Sequence, residues 1–393
     1  MSLVVFRVSG GLEGQDAAEA AAEEDALASA EVTDDGEGAA AKNRTVEGPD
    51  PAEVLEALPE VAPESERRCL MVAPAALSDD FKEDERWISF ALEVGVTRVL
   101  TMRPGIRLRS VTTELKDELK VRSIRPGDVI PVSLLLDKAT KQACDNVITM
   151  DARRVPGEGD LMQVEVSLYL KGQRHAPLKI RTDPLTLMPL AEFIAGWTLP
   201  GLGLPETPAL PSLADTMSAN PRVLELNVRA TEKILDEDFD TAGSLLDEAL
   251  ALDPECVDTL RSRAAMYAFE QGPEKKAQQQ KLLAKVLKQL HRLPPASRWQ
   301  VQTGVLLAQN KRKVAERIVD RQLEIDPDDV DAKLLKTTLL MIVHDAAKEA
   351  LPYLRDIVAR DPKNREALSQ LVLVLNDLEQ LEEAEIIARQ WVA

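Results

Sequence analysis

The chain has 393 residues, of which 45% are hydrophobic, 29% charged and 3% aromatic, and its net charge is −19. This length favours two or three domains, and a composition poor in aromatic residues favours helices. No apolar run approaches the ~18–20 residues that a membrane-spanning helix needs, and three separated cysteines without a CxxC pair argue against a disulfide framework. The sequence therefore predicts a soluble protein of the reducing cytoplasm.

The first 66 residues form an acidic segment. They hold seventeen acidic and three basic residues, for a net charge of −14, and residues 10–49 contain almost no large apolar side chains. Such a segment cannot bury enough surface to offset the entropy of ordering, so we expect it to be largely disordered. Asp50 as N-cap and Pro51 in the first turn predict one short helix over residues 50–58, which is either a fraying helix or a docking peptide. Its apolar face comprises Val54, Leu55 and Leu58.

Residues 67–198 alternate between strand and helix patterns. Runs with period two predict half-buried strands, and apolar residues at helical spacing predict the intervening helices. A Gly-containing turn between two alternating runs predicts a hairpin. In chain order the predicted elements are strand 69–75, helix 87–100, strand 106–111, helix 132–144, strands 146–155, 161–170 and 176–182, and helix 185–197.

This order resembles the TolB-amino-terminal-like (FlgO-like) domain. The resemblance rests on an apolar strand running from Cys69 to Pro74, a strand after Pro104-Gly105 and a hairpin turn containing Gly159-Asp160. It implies an α/β domain with a mixed sheet and no catalytic residues, of the kind that accompanies tetratricopeptide (TPR) repeats in bacterial signalling proteins. The chain departs from that family in lacking the usual Gly before the hairpin and in carrying an extra stretch over 113–129.

A proline-rich segment over residues 199–221 follows. Proline removes backbone donors, so this segment is expected to be an extended linker without regular structure. Its prolines are Pro200, Pro205, Pro208, Pro211 and Pro221.

Residues 222–393 are helical and periodic. The motifs ending in Pro254, Pro327 and Pro362, with Pro294 between the first two, are spaced by 40, 33 and 35 residues. This is close to the 34-residue period of TPR repeats, which the segment resembles. It predicts an all-α, TPR-like solenoid of five helix pairs. Small residues predicted at close helix crossings include Ala230, Ala242, Ala249, Ala315, Ala350 and Ala384.

Stacked helix pairs form a concave groove lined by the first helix of each pair. The repeat register predicts which residues line it, and the expected partner is an apolar or helical segment of another protein. The alternative is that some of these positions serve internal packing. The predicted groove residues are Asn227, Thr231, Arg261, Phe269, Gln300, Leu335, Leu339, Ile342, Ser369 and Asn376.

A basic block spans Lys275–Arg321, with twelve basic and two acidic residues. It is either a solvated face or a docking site for an acidic segment, supplied by a partner or by this chain's own tail. Nucleic acid is a poor candidate because interleaved aromatic residues are lacking and the whole chain is acidic. The predicted patch comprises Lys275, Lys276, Lys281, Lys285, Lys288, Arg292, Lys311, Arg312, Lys313 and Arg317.

Known catalytic and cofactor motifs are missing from the sequence. It contains no phosphate-binding loop, no nucleophile elbow and no HExxH motif, and its three histidines fall in different segments. We therefore expect no catalytic residue, metal site or cofactor. The predicted function is a non-enzymatic scaffold or adaptor that binds a protein through its solenoid. A homo-oligomer of this chain is compatible with that prediction. The alternatives are a ligand-sensing component of a bacterial signalling system and a structural subunit of a large assembly.

Overall fold

The structure is a computed structural model that describes residues 68–393, except for residues 104, 126, 142–143, 205–211, 237, 268–269, 271, 309–310, 345, 363 and 393. The predicted acidic tail and its helix over 50–58 lie outside the described residues. The described part comprises an α/β unit followed by a helical solenoid, as the sequence predicts.

The α/β unit is built on a six-stranded mixed sheet within the described residues. Its order is β2-β1-β3-β4-β5, with β6 also pairing with β4. Strand β1 is parallel to both β2 and β3, whereas β4 is antiparallel to β3, β5 and β6. The strands are β1 (Arg68–Leu77), β2 (Ile106–Ser110), β3 (Asn146–Arg154), β4 (Met162–Leu170), β5 (Gln173–Arg174) and β6 (Leu178–Thr182).

Helices cover both faces of this sheet. Helices α1 and α5 pack on one face in the largest apolar core, and they cross so closely that a Cβ on Gly95 would lie 2.8 Å from the Cβ of Ala191. Helices α2, α3 and α4 cover the other face. The predicted elements occur in the predicted order, with the two-residue strand β5 in addition, and the extra stretch contributes to α2 and α3. The helices are α1 (Trp87–Thr101), α2 (Val111–Glu114), α3 (Lys116–Val121), α4 (Val132–Lys141) and α5 (Leu187–Gly201).

The prediction from the cysteine count is wrong. Cys69 and Cys144 form a disulfide, with their Cα atoms 4.9 Å apart. They are separated by 75 residues in the chain, but the parallel pairing of β1 with β3 places Leu70 opposite Asn146 and so brings the two cysteines together. The cysteine residues therefore give no support to the prediction that the protein lies in the reducing cytoplasm.

The predicted linker is partly helical, which corrects the expectation of no regular structure. Helix α5 continues through Pro200 to Gly201, and a short helix α6 (Leu213–Thr216) follows the seven residues, 205–211, that lie outside the described part. Burial explains the helical residues, because Leu199, Leu202 and Leu213 all belong to the core beneath α5. Apolar burial here outweighs the one backbone donor that a proline removes.

The solenoid follows at residue 221. In the described residues ten helices form the five predicted pairs, and consecutive helices pack against one another. None of the described helices is long and apolar enough to cross a membrane. The pairs are α7 (Pro221–Leu235) with α8 (Phe239–Leu252), α9 (Val257–Tyr267) with α10 (Pro273–Leu287), α11 (Pro295–Ala308) with α12 (Arg312–Ile325), α13 (Val330–His344) with α14 (Ala347–Arg360), and α15 (Arg365–Asp377) with α16 (Leu381–Val392).

Small residues lie at the helix crossings, as the register predicts. Ala315 and Ala350 are completely buried, and Ala350 packs in one core with Leu334 and Leu371 of the neighbouring helices. We expect Ala350→Leu to overpack this crossing and lower the free energy of unfolding by roughly 1–3 kcal/mol. Chemical denaturation would measure the change, and an unchanged midpoint would mean that the repeat register is wrong.

Candidate partner-binding groove

The α/β unit covers the concave side of the first repeat. Leu224 and Val228 of α7 belong to the same apolar core as Leu92 and Val99 of α1. They lie on the side of α7 opposite Ala230, which packs against α8. In a TPR-like array, the side of a first helix that faces away from its pair partner lines the groove. Helix α1 therefore occupies the groove at its N-terminal end.

A buried arginine joins α1 to the second repeat. The Nη2 atom of Arg98 lies 2.9 Å from Oδ2 of Asp258 on α9, 2.9 Å from the carbonyl oxygen of Thr216 and 3.1 Å from that of Arg292. The side chain is only 7% exposed. Burial lowers the pKa of Arg98, and the nearby Asp258 carboxylate acts in the opposite direction. The contact ties α1 to three other segments of the chain.

Three predicted groove residues lie in this covered region. Oδ1 of Asn227 accepts a hydrogen bond from the hydroxyl of Thr259, and the hydroxyl of Thr231 donates to the backbone of its own helix. The guanidinium of Arg261 lies 3.8 Å from Asp258, next to the Arg98 contact. These three residues therefore contact other residues of the same chain, as expected for positions that serve internal packing rather than partner binding. Phe269 lies outside the described residues.

The groove continues along the first helices of the third to fifth repeats. The amide of Gln300 donates to Asp331 at 3.2 Å, and the amide of Gln370 lies 3.4 Å from the hydroxyl of Thr338, so polar bridges connect neighbouring first helices. Leu335 is half-buried on this surface. These contacts hold α11, α13 and α15 side by side.

At the C-terminal end of this surface α15 exposes both apolar and polar side chains. Ser369 is half-buried, with its hydroxyl bonded to the carbonyl of Glu366, and Asn376 is exposed. Leu373, one helical turn beyond Ser369, is 62% exposed. The repeat register could have predicted Leu373, since it lies four residues after Ser369 on the same helix face.

The prediction that Leu339 lines the groove is wrong. It is only 2% exposed, so it packs within the solenoid and offers no surface to a partner. Leu335, one helical turn earlier on the same helix, is only half-buried and keeps part of its surface exposed. The side chain of Ile342 lies outside the described part of the chain.

Two lysines on α13 hold that helix in place. Nζ of Lys336 lies 2.7 Å from both Glu316 and Asp320 of α12, whereas Lys333 pairs with Asp328 and Asp356. The hydrogen bond from Lys336 lowers the pKa of the Glu316 carboxyl. Because both ammonium groups are nearly buried, these pairs fix the position of α13 between α12 and α14.

The basic patch lies on the second helices, away from the groove. Lys275 pairs with Glu270 at 2.7 Å, and Lys285 pairs with Glu255 at 2.9 Å. Arg292 donates to the carbonyls of Asp215, Met217 and Glu255, so it joins the segment around α6 to the solenoid, and its side chain is half-buried. Lys311 is half-buried. The members that are exposed, and that form no ion pair within the described part, are Lys276, Lys281, Lys288, Arg312, Lys313 and Arg317.

The α/β unit offers a second candidate site, where the carboxyl ends of β1 and β3 meet. In doubly wound sheets this crevice, where the strand order reverses, binds ligands. Here Arg154 fills it, stacking 4.8 Å from the centre of the Phe81 ring and pairing with Glu85. The neighbouring Arg86 pairs with Asp128 at 3.1 Å. The chain's own side chains thus satisfy one another where a ligand would lie.

No protein-family model and no curated protein sequence matches the chain. Among solved structures, 38 chains match. A crystal structure of MamA protein is 14% identical over 44% of this chain and 90% of that chain, with a TM-score of 0.28. YrrB, described as a TPR protein with an unusual peptide-binding site, is 17% identical over 44% and 87%, with a TM-score of 0.27. These TM-scores are too low to assign a fold, so the TPR-like architecture is inferred from the five helix pairs of this chain alone. The resemblance to the TolB-like family stays a prediction.

Proposed function

We propose that this protein is a non-enzymatic scaffold or adaptor that binds an apolar helical segment of another protein. The binding surface is the concave side of the third to fifth repeats. The exposure of Leu373 carries the proposal, because this large apolar side chain is 62% exposed on the same helix face as the predicted groove residues Ser369 and Asn376. The concave side of the first repeats is covered by α1, which limits the partner to the C-terminal half.

The chemistry of this surface favours a helical partner. Leu335 and Leu373 supply apolar contact on neighbouring first helices, and Asn376 adds an exposed amide at the edge. An amphipathic helix places apolar side chains at i, i+3, i+4 and i+7, which suits an apolar groove between packed helices. The exposed cations lie on α10 and α12, so an acidic stretch of the same partner would contact the solenoid outside the groove.

Ligand sensing by the α/β unit is the weaker alternative. The crevice at the ends of β1 and β3 contains the contacts between Arg154 and its neighbours Phe81 and Glu85. A ligand would have to displace a stacked and ion-paired side chain before it could bind. We therefore assign the partner-binding role to the solenoid and no cofactor to the α/β unit.

Site-specific photo-crosslinking in cells tests this function. A photoreactive phenylalanine analogue at Leu373 is expected to give a discrete protein adduct, and Leu335→Asp in the same chain should reduce its yield at least five-fold. The matched control places the analogue at Lys276, which is exposed on α10 outside the groove. Adducts of equal yield from both positions, or none from Leu373, would contradict the proposal. A product of twice the chain mass would show that the groove binds a second copy instead.

A further inference from the structure

Helix α5 has an uncovered apolar side. Its sequence contains a single charged residue, Glu192, whose carboxylate accepts a hydrogen bond from the backbone of Leu213 at 2.6 Å. Phe193 is nevertheless 57% exposed, and Leu185, two turns earlier, is 77% exposed. Pro189 and Pro200 are exposed on the same line of residues, and Trp197 between them is half-buried.

The neighbouring helix shows that this exposure is unusual. Helices α1 and α5 lie side by side on one face of the sheet. The outer side of α1 is covered by Leu224 and Val228 of α7, but the described residues place nothing over the outer side of α5. A helix that is apolar nearly all round is expected to be buried on every side. The described residues therefore leave this apolar side of α5 exposed.

The start of the described chain lies beside the end of this helix. The backbone nitrogen of Arg68 donates to the carbonyl of Gly105 at 2.9 Å. Leu204, just beyond α5, packs against the same glycine, with its Cδ2 atom 3.9 Å from the position that a Cβ would take. The segment that precedes Arg68 thus enters the fold at the C-terminal end of α5.

We propose that residues 50–58 bind the exposed side of α5 as a short amphipathic helix, through Val54, Leu55 and Leu58. The inference does not depend on the function proposed for the groove. Leu58 lies ten positions before Arg68, and an extended chain of ten residues spans up to about 33 Å. The 15 residues of α5 measure about 22 Å, so the segment can reach Phe193 from where the chain enters.

The charge pattern of the segment fits this position. Glu53 and Glu56 fall on the side of the predicted helix opposite its apolar residues. Binding through Leu55 and Leu58 would bury apolar surface on both helices and leave these carboxylates in water. The acidic residues 10–49 would then leave the α/β unit from a fixed point rather than from the end of a long tether.

Thiol crosslinking in the full chain tests the contact. Leu55→Cys is combined with Phe193→Cys, and the matched control combines Glu56→Cys with Phe193→Cys. The native cysteines stay in place, because Cys69 and Cys144 are bonded and Cys256 is buried. With a short bismaleimide, the first pair is expected to give a monomeric linked product in at least five-fold higher yield. Equal yields would overturn the proposal, as would a linked product of twice the mass, in which a second copy covers α5.

Hydrogen exchange supplies a second measurement that does not depend on introduced thiols. Phe193→Asp changes an exposed side chain, so the variant is expected to fold. Amide exchange over residues 52–58 should become several-fold faster in this variant than in the unmodified chain. The same rate in both proteins would overturn the proposal.

Discussion

Replacing Arg98 by Met is expected to lower the free energy of unfolding by about 3–5 kcal/mol, since it breaks a buried ion pair and leaves the other charge uncompensated. Three acceptors lose the same donor, namely the Asp258 carboxylate and two backbone carbonyls. Arg261 stays 3.8 Å from Asp258 and offers partial compensation, which places the expected effect near the lower end of the range. Urea denaturation followed by circular dichroism measures it.

A double-mutant cycle separates the pair from general damage to the core. Asp258→Asn in the Arg98→Met background removes the uncompensated carboxylate, so the double variant should be more stable than Arg98→Met alone. Arg222→Met serves as the matched control, because that arginine pairs with Glu225 and Glu248 on the surface and should cost no more than about 1 kcal/mol. Additive effects of Arg98→Met and Asp258→Asn would mean that the two side chains do not interact.

The stability of the protein is expected to fall as pH rises from about 4.5 to 7 because of Glu232. This residue lies one turn beyond Val228 on α7, and its Oε1 atom is buried without a hydrogen-bond partner in the described residues. Burial raises the pKa of Glu232 from 4.5 to about 7, with Arg229 opposing the shift and Asp236 adding to it. The folded state therefore holds a proton that the unfolded state has already released.

The sign and size of this effect follow from proton linkage. Between the two pKa values the folded state binds more protons, so the free energy of unfolding decreases with pH, by up to about 3 kcal/mol in total. We expect Glu232→Gln to remove this contribution and to be the more stable protein at pH 8. Glu248→Gln, a half-exposed glutamate on α8, is the matched control. Parallel pH profiles for Glu232→Gln and the unmodified chain would contradict the assignment.

Local pattern was enough to predict most of the elements. The strand and helix from Cys69 to Thr101, the hairpin of β3 with β4, and the five helix pairs all follow from periodicity and turn residues that act within a few positions. Ala315 and Ala350 were found because a repeat fixes where close crossings fall. In each case the responsible interaction lies near in sequence.

The contacts that join the two units could not be predicted in this way. The residues around Arg98 have the apolar spacing of a buried helix. Nothing in that spacing indicates that Arg98 pairs with Asp258, which lies 160 residues away in the chain. The pairing of Cys69 with Cys144 depends on the order of strands in the sheet. Arg292 was grouped with surface cations because charge counts do not reveal the carbonyl groups it bonds. Each of these contacts is set by tertiary packing.

The extent of the candidate groove could not be predicted from the sequence. The register placed Asn227 and Arg261 on first helices, yet α1 covers this side of the array through Leu224 and Val228. No local signal in α7 distinguishes a residue that faces a partner protein from one that faces another part of the same chain. The uncovered stretch, marked by Leu373, emerges only when the α/β unit is in place.

The α/β unit and the solenoid form one folded body, in which α1 occupies the N-terminal end of the groove. Equilibrium denaturation with separate tryptophan probes tests it most directly. One variant retains Trp87 and Trp197 of the α/β unit, with Trp299 and Trp391 of the solenoid changed to Phe, and the other retains the reverse pair. We expect the midpoint from tryptophan fluorescence to equal the midpoint from circular dichroism within each variant, and both to shift together when Arg98→Met is added. Different fluorescence and circular-dichroism midpoints within one variant, or a shift confined to one of them, would contradict the claim.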